Sequence, residues 1–234
     1  MLDLQRLNRE FEAKGAHDIV AWAVETFWPD IAMTCSFQTQ SLPLLHIVCQ
    51  VAPQLPVIFL DTGYHFPETL AFRDRIVQEW GVNLRVVRAA MSRDEFVRQY
   101  GDTLYQRDPD LCCYINKVEP MQRALAGLRA WISGIRRDQS PARANAQVLE
   151  RTPEGVIRIH PIVTWTRHDI WRYIHEHNLP VHPLLAQGYL SIGCAPCTRP
   201  VHAGEHERAG RWDGREKTEC GLHTLLRQPA AEHG

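Results

Sequence analysis

Apolar residues near the start of the chain recur with the spacing of an α-helix. Leu4, Leu7 and Phe11 form one stripe, and apolar residues between Ile19 and Phe27 form a second. Positions three and four residues apart lie on the same face of a helix. Two helical segments with a break near Gly15 are therefore predicted for this region.

Short apolar runs then alternate with longer helical patterns over about a hundred residues. Strands are predicted in DIAMTCSF, PVIFLDTG, VNLRVV and RAWISGIRR, and helices in SLPLLHIVCQVA and PETLAFRDRIVQEWG. Continuous apolar runs are typical of parallel strands that are covered on both faces. The alternation of strand and helix predicts an α/β fold with a parallel sheet and right-handed crossovers.

Two more helices are indicated by capping patterns at their starts. Ser92 stands three residues before Glu95, and Thr166 stands three residues before Asp169, with apolar stripes following each pair. After Asn178 the composition changes to Pro, Gly, His and Cys, and the periodicity fades. We predict that this last quarter is rich in loops. Residues 1–205 are expected to form the main domain, and residues 206–234 are expected to form a mobile tail.

The carboxyl ends of parallel strands are where such sheets bind ligands. The predicted strands place SFQTQS, DTGYH and SGIRR at those ends. Ser36 and its neighbours either contact an anion at the start of the following helix or only cap that helix. Several basic residues either converge on a phosphate or sulfate or are solvated surface charges: Lys117, Arg136, Arg137, Arg143, Arg208 and Arg211.

Length and charge restrict the class of protein. A chain of 234 residues accommodates one sizeable domain and a small appendage. The net charge of −1 disfavours long nucleic acids and anionic membrane surfaces as partners. The first residues lack the apolar core of a signal peptide, and no apolar run approaches the roughly 20 residues of a membrane helix. We expect a cytoplasmic protein, and the sequence leaves open whether it forms a homo-oligomer.

Four of the seven cysteines stand in two unusual pairs. Cys112 and Cys113 are adjacent, and Cys194 and Cys197 form a Cys-x-x-Cys turn. Such a turn brings two thiolates to one metal centre, although the spacing also fits a redox dithiol or a zinc knuckle. An iron-sulfur cluster accepts thiolates at separate corners and so accommodates a doublet. Alternatively, Cys112 and Cys113 are only two small apolar residues packed in a helix.

Of the remaining three cysteines, two are predicted to be core residues and one is a candidate nucleophile. Cys35 and Cys49 lie in apolar segments, which predicts that they belong to the core. Cys220 stands in KTECGLH near Lys217 and His223. Cationic neighbours lower the pKa of a thiol and favour the nucleophilic thiolate, although Cys220 could also be an incidental residue of a frayed tail.

Six motifs taken together carry a resemblance to a known family. They are FLDTGYHFPET, LCCYINKVEPM, WISGIRRDQS, SIGCAPCTRPV, ERAGRW and KTECGLH. In order and spacing they resemble the assimilatory adenylyl-sulfate (APS) reductases within the wider APS/PAPS reductase family. The resemblance implies a fold like that of the adenine-nucleotide alpha hydrolases with a modified PP-loop, here SFQTQS. It also implies reduction of a sulfonucleotide to sulfite and AMP, with electrons from thioredoxin or glutaredoxin.

The resemblance further implies roles for individual residues. Cys112, Cys113, Cys194 and Cys197 match the ligands of a [4Fe-4S] cluster, and Cys220 matches the family nucleophile. Residues that match contacts to the phosphosulfate group are Lys117, Arg143, Arg208, Arg211 and His223, and Ser36 belongs to the loop that matches the PP-loop. The chain departs from the family pattern after GRW, where it has WDGRE in place of an aromatic run.

Three other functions compete with APS reduction. The first is PAPS reduction, whose substrate carries an added 3'-phosphate, alone or together with APS reduction. The second is a zinc-stabilised nucleotide-binding module without catalysis. The third is a sulfur-inserting ATP pyrophosphatase that acts on RNA, which the near-neutral charge and the missing Gly-Gly loop disfavour. Neither a Walker loop nor a dinucleotide fingerprint is present.

Overall fold

A six-stranded β-sheet organises the computed structural model, which describes residues 2–222. The strands follow the order β3-β2-β1-β4-β6-β5 across the sheet. β1 pairs in parallel with β2 and β4, β4 pairs in parallel with β6, and β5 runs antiparallel to β6. Their bounds are β1 Ile31–Thr34, β2 Val57–Leu60, β3 Leu84–Val87, β4 Ala130–Ile132, β5 Leu149–Arg151 and β6 Ile157–Ile159. The predicted α/β class and the four predicted strands are confirmed.

Every helix that the apolar and capping patterns predicted is present, together with three short helices between residues 104 and 125 that were not predicted. The first two are separated near Gly15, as predicted, and both predicted capping boxes form at Ser92 and Thr166. The helices among residues 2–222 are α1 Leu4–Phe11, α2 Ala16–Phe27, α3 Leu42–Val51, α4 Pro67–Trp80, α5 Arg93–Tyr100, α6 Leu104–Arg107, α7 Pro109–Cys113, α8 Glu119–Leu125 and α9 Arg167–Glu176. None of them is long and apolar enough to cross a membrane.

The chain divides into two compact units. The sheet unit consists of Met1–Ile58, Phe72–Arg85 and Gly127–His182, and the cysteine unit consists of Phe59–Ala71, Val86–Ala126 and Pro183–Gly234. The predicted tail boundary at residue 205 falls inside the cysteine unit and stays a prediction. The prediction of a loop-rich region after residue 178 is confirmed. Between that residue and residue 222, the regular elements are two short 3-10 turns, Pro183–Gln187 and Ala195–Cys197.

Each unit has its own buried apolar side chains. In the sheet unit, Val20, Ile31, Leu44 and Ile132 are completely buried, and burial of such side chains contributes roughly 1.5–3 kcal/mol each. In the cysteine unit, a smaller cluster joins Phe96 and Leu104 to Cys112. One member of the doublet is therefore part of a packed core, which limits the freedom of the helix that carries both thiols.

Candidate functional site

The strand order changes direction between β1 and β4, which is the point where open α/β sheets bind ligands. Ser36 follows β1 and is exposed, as the predicted phosphate-contacting loop requires. In the loop after β4, the Nη1 of Arg136 donates to Oε1 of Gln40 at 2.9 Å. Arg143 is buried and donates to the side-chain oxygen of Gln139. The substrate roles predicted for Ser36 and Arg143 stay predictions.

The cysteine unit contains a small cavity that is lined by all four paired cysteines. Its void, including the part open to solvent, measures about 310 Å³. Cys112 and Cys113 come from α7, and Cys194 and Cys197 come from the turn at Ala195–Cys197. The other lining residues are Tyr64, Tyr105, Pro109, Asn116, Lys117 and Pro196. Pairs more than eighty positions apart in the sequence thus meet at one place.

Local hydrogen bonds hold the doublet in its helix. α7 begins at Pro109, whose fixed φ suits a first helical turn, and the carboxylate of Asp108 accepts from the N–H of Leu111 at 2.9 Å. Asn116 donates from Nδ2 to the carbonyl of Cys112 at 2.9 Å and lies 3.7 Å from its Sγ. The backbone widens into a π-helical turn over Tyr114–Val118, a distortion that often marks functional sites.

The Cys-x-x-Cys turn is fixed by a separate set of hydrogen bonds. The N–H of Cys197 donates to the carbonyl of Cys194 at 2.9 Å, and the hydroxyl of Thr198 donates to the same carbonyl at 2.9 Å. The N–H of Ala195 donates to the carbonyl of Tyr64 at 2.7 Å. These bonds restrain the backbone on both sides of the turn whose two thiols line the cavity.

Lys117 and its neighbours determine the electrostatics of the Cys194 thiol. Burial raises the pKa of Cys194, but Lys117, the hydroxyl of Thr62 and Arg211 together leave that pKa below its usual value. The Oγ1 of Thr62 lies 3.3 Å from the Sγ of Cys194. In turn, Cys194, Cys113 and Cys220 outweigh the effect of burial and raise the pKa of Lys117 above its usual value. Lys117 is therefore a permanent cation among sulfur atoms.

The other cavity thiols influence one another. Burial raises the pKa of Cys112 to about 12, and Cys113, Cys194 and Cys197 add to the increase. Burial also raises the pKa of Cys113 and of Cys197. Four negative thiolates in so small a space would repel one another, and bound iron cations would offset that repulsion.

The donor set fits a [4Fe-4S] cluster. Four soft sulfur donors line one cavity, they are fixed by rigid turns, and a lysine of opposite charge accompanies them. Among residues 2–222, no three His, Cys, Asp or Glu side chains are arranged to hold a metal ion. A cluster that takes its thiolates at separate corners suits a cavity that is lined by two adjacent cysteines and a Cys-x-x-Cys turn.

Cys220 lies close to this cavity and is partly buried. Cys220 is one of the groups that raise the pKa of Cys113 and the pKa of Lys117. The segment before it is attached to the rest of the cysteine unit, since Lys217 pairs with Asp110 and Arg215 donates to the carbonyl of Tyr105. The predicted nucleophile is therefore brought to the predicted cluster ligands. His223 lies outside the described residues.

The two predicted tail arginines occupy different surroundings. Arg208 donates from Nη2 to the carbonyl of Thr218 at 3.1 Å and lies 3.5 Å from the carboxylate of Glu219. Arg211 stacks on the ring of Trp212, with Cζ 4.5 Å from the ring centroid, and its Nη1 donates to the carbonyl of Ile192 at 3.2 Å. Both arginines are thereby held near the segment that carries Cys220 or near the Cys-x-x-Cys loop.

Sequence reasoning missed several residues of this site. Thr62 stood in a predicted strand-end segment, but nothing in the sequence paired it with Cys194. Asn116 follows Cys112 by four positions, a helical spacing that could have indicated its contact. Asp110 and Tyr105 left no signal, because their contacts are with the distant tail. Cys35 and Cys49, predicted as core residues, are buried and partly buried, respectively.

Comparison with known proteins adds independent information. Residues 30–200 match the family model of the phosphoadenosine phosphosulfate reductase domain. The chain is 45% identical over 220 residues to an adenosine 5'-phosphosulfate reductase of Streptomyces coelicolor, covering 94% of this chain and 92% of that protein. It is 43% identical over 224 residues to a phosphoadenosine 5'-phosphosulfate reductase of Gloeobacter violaceus, covering 94% and 93%.

A solved structure is similar as well. The crystal structure of phosphoadenylyl-sulfate (PAPS) reductase from Candida auris, a phosphate complex, superposes with a TM-score of 0.74 at 30% sequence identity. The match covers 82% of this chain and 94% of that chain. The predicted nucleotide-binding α/β fold is thereby confirmed.

Proposed function

The chain belongs to the phosphoadenosine phosphosulfate reductase family, and on that premise we propose that it reduces APS to sulfite and AMP in sulfate assimilation. The observation that carries this proposal is the contact of Lys217, three residues before Cys220, with Asp110 of the helix that carries the cysteine doublet, which lines a cavity together with Cys194 and Cys197. A nucleophilic thiol, fixed cations and a set of cluster ligands are the groups that such a reaction requires.

In the first half-reaction, the thiolate of Cys220 attacks the sulfur atom of APS. The bond from sulfur to the bridging phosphate oxygen breaks, AMP leaves with the electron pair, and an S-sulfocysteine forms on Cys220. No electrons enter or leave in this step, because the sulfonyl group only changes its partner. The thiolate and the sulfate repel each other, so the attack needs cations close to the reacting atoms.

Lys117, Arg208 and Arg211 supply those cations, and Arg143, Ser36 and His223 complete the substrate-binding set. Lys117 carries a permanent charge next to Cys113 and Cys194. The guanidinium groups match the geometry of sulfate and phosphate oxygens. As negative charge develops on the leaving phosphate, these groups stabilise it in place of water.

Cys112, Cys113, Cys194 and Cys197 would hold a [4Fe-4S] cluster, which would supply a charged inorganic centre beside Lys117. Cys113 and Cys194 act on the same lysine, because each raises its pKa. No electron transfer from this centre is required for the reaction to balance.

A dithiol protein of the thioredoxin or glutaredoxin type completes the reaction. One of its thiolates attacks the Sγ of Cys220 and releases sulfite, which leaves a mixed disulfide between the two proteins. Its second thiol then resolves that disulfide, so the donor supplies two electrons and Cys220 returns as a thiol. Because a donor of this type acts in a reducing compartment, we propose the cytoplasm as the location of the protein.

PAPS reduction is the second candidate, alone or alongside APS reduction. The relative of Gloeobacter violaceus carries the PAPS reductase name at nearly the same identity as the relative of Streptomyces coelicolor carries the APS name. A comparison of kcat/KM for the two nucleotides decides between them. We expect APS to be preferred, and a higher kcat/KM for PAPS would reverse the assignment.

The test of the proposed function follows the sulfonyl group. Anaerobic protein is mixed with APS in the absence of a thiol donor, and Cys220 is examined by peptide mass spectrometry. We expect a sulfonate adduct on Cys220 in the wild type and in Cys49→Ser, and none in Cys220→Ser. If Cys220→Ser still releases sulfite on addition of thioredoxin, the proposed reaction is wrong.

A further inference from the structure

The segment that carries Cys220 is anchored to the helix that carries the cysteine doublet. Lys217, three residues before Cys220, forms an ion pair with Asp110, which stands in α7 two residues before Cys112. The contact joins residues 107 positions apart in the sequence. A movement of α7 or of the tail segment would break it, so the pair reports directly on the position of the nucleophile.

The two partners differ greatly in their exposure. The side chain of Lys217 is 9% exposed, and that of Asp110 is 83% exposed. Lys217 also lies over the ring of Trp212, with its Nζ 5.9 Å from the centroid. A lysine in this position needs a counter-charge, because burial of an unpaired ammonium group is costly. Asp110 supplies the counter-charge from the solvent side, where the pair is weak enough to open.

We propose that Asp110 and Lys217 form a reversible latch that positions the thiol of Cys220 for attack on the substrate. The inference rests on the proposed function, in which Cys220 is the nucleophile. Closed, the latch holds Cys220 near Lys117 and Cys113. Open, it lets the segment leave the cavity, as the second half-reaction requires when a donor protein must reach the same sulfur atom. Asp110 and Lys217 are thus positioning residues.

Other contacts of the segment make this latch one of several attachments. Arg215 donates to the carbonyl of Tyr105, and Arg208 contacts the carbonyl of Thr218 and the carboxylate of Glu219. Arg208 is also a predicted substrate contact, so an incoming sulfate competes with its tail contacts. The Asp110–Lys217 pair involves no predicted substrate contact and can remain closed while the substrate binds.

The experiment compares variants of the intact protein under anaerobic conditions. Asp110→Asn removes the charge and keeps the shape, Asp110→Glu keeps the charge, and Lys217→Met keeps the apolar stem over Trp212. Glu119→Gln is the matched control, since Glu119 is another acid of the cysteine unit that pairs with an arginine, Arg123, on its own helix. Two rates are measured: alkylation of Cys220 by iodoacetamide without substrate, and formation of its sulfonate adduct with APS.

In Asp110→Asn we expect alkylation of Cys220 to become faster, and in both Asp110→Asn and Lys217→Met we expect adduct formation to become slower, each by up to about fivefold. The KM for APS should stay unchanged, Asp110→Glu should restore both rates, and Glu119→Gln should behave as the wild type. The Asp110→Asn and Lys217→Met changes should not add in the double variant, because both remove the same contact.

Each other outcome is decisive. If Asp110→Asn has the same alkylation rate and the same adduct-formation rate as the wild type, the latch is overturned. It is also overturned if Asp110→Glu is as defective as Asp110→Asn. If the wild type itself forms no adduct, the proposed function fails. The alkylation rates then still decide whether the ion pair holds the Cys220 segment, because that measurement needs no substrate.

Discussion

The guanidinium of Arg211 lies where a side chain of Gly193 would be. A Cβ placed on Gly193 would come within 2.2 Å of Nη2 and 2.5 Å of Cζ of Arg211. Only glycine permits this approach, in which the loop before the Cys-x-x-Cys turn packs against the guanidinium of Arg211, a predicted substrate contact. The glycine of SIGCAPC thus has a packing reason, because it lets Arg211 lie directly against the Cys-x-x-Cys loop.

Gly193→Ala should displace Arg211 without unfolding the protein. The obstructed atoms belong to the end of a long, flexible side chain, which can move away at little cost. We expect an unchanged unfolding temperature and a loss of about tenfold or more in kcat/KM for APS, as for a lost charged hydrogen bond. Gly15→Ala is the control, because its added Cβ meets nothing nearer than 3.6 Å.

Gly210→Ala, in contrast to Gly193→Ala, should lower the stability of the protein. Its added Cβ would lie 2.1 Å from the backbone oxygen of Arg199, next to the bridge between Thr198 and Arg211. A backbone oxygen held in a bridge has nowhere to retreat, and overpacking of this kind costs about 1–3 kcal/mol or more. Calorimetry should show a fall of roughly 5 °C in the unfolding midpoint. An unchanged midpoint would contradict rigid packing between Gly210 and Arg199.

Cys112→Ser should remove the iron from the anaerobically purified protein. The wild type is expected to be brown, with about four irons and four sulfides per chain, because four thiolates bind one cluster. Serine is a poor substitute for a soft sulfur ligand. Cys35→Ser is the matched control, since Cys35 is buried in the sheet unit and should leave the iron content unchanged. Zinc in place of iron in the wild type would refute the cluster.

Acid should destabilise the sheet unit through His160. This residue is completely buried, and burial lowers its pKa to about 4, with Arg158 adding to the decrease and Glu150 opposing it. The unfolded chain binds the proton near pH 6.5, so between pH 6.5 and 4 it holds more protons than the native state. The free energy of unfolding therefore decreases as the pH is lowered from 6.5 to 4, by up to about 3 kcal/mol.

The measurement is the free energy of unfolding in denaturant at several pH values. His160→Asn should flatten the dependence between pH 6.5 and 4, whatever its effect on stability at pH 7. A variant of the exposed His168, His168→Gln, should keep the dependence of the wild type. An identical slope in His160→Asn and the wild type would show that His160 is not responsible.

Local patterns were sufficient to predict most of the secondary structure. The breaks and caps at Gly15, Ser92 and Thr166 depend on neighbours within four positions, so the sequence displays them directly. β5 and β6 were not predicted, because their sequences LER and IRI mix apolar with charged residues and lack the continuous apolar run that indicated the equally short β4. β5 also owes its place to Asn8, whose side chain bonds both the N–H and the carbonyl of Leu149 across 141 positions.

By itself, the sequence determined the α/β class, the two cysteine pairs and the separate cysteine in the tail, because residue type and short spacing carry that information. Only the tertiary structure decided that Thr62 contacts Cys194 and that Asp110 holds Lys217, contacts that span 132 and 107 positions. The physical reason is that such contacts depend on the path of the whole chain. A hydroxyl in a buried loop or a carboxylate on an exposed helix has no local signature that tells which distant residue it will meet.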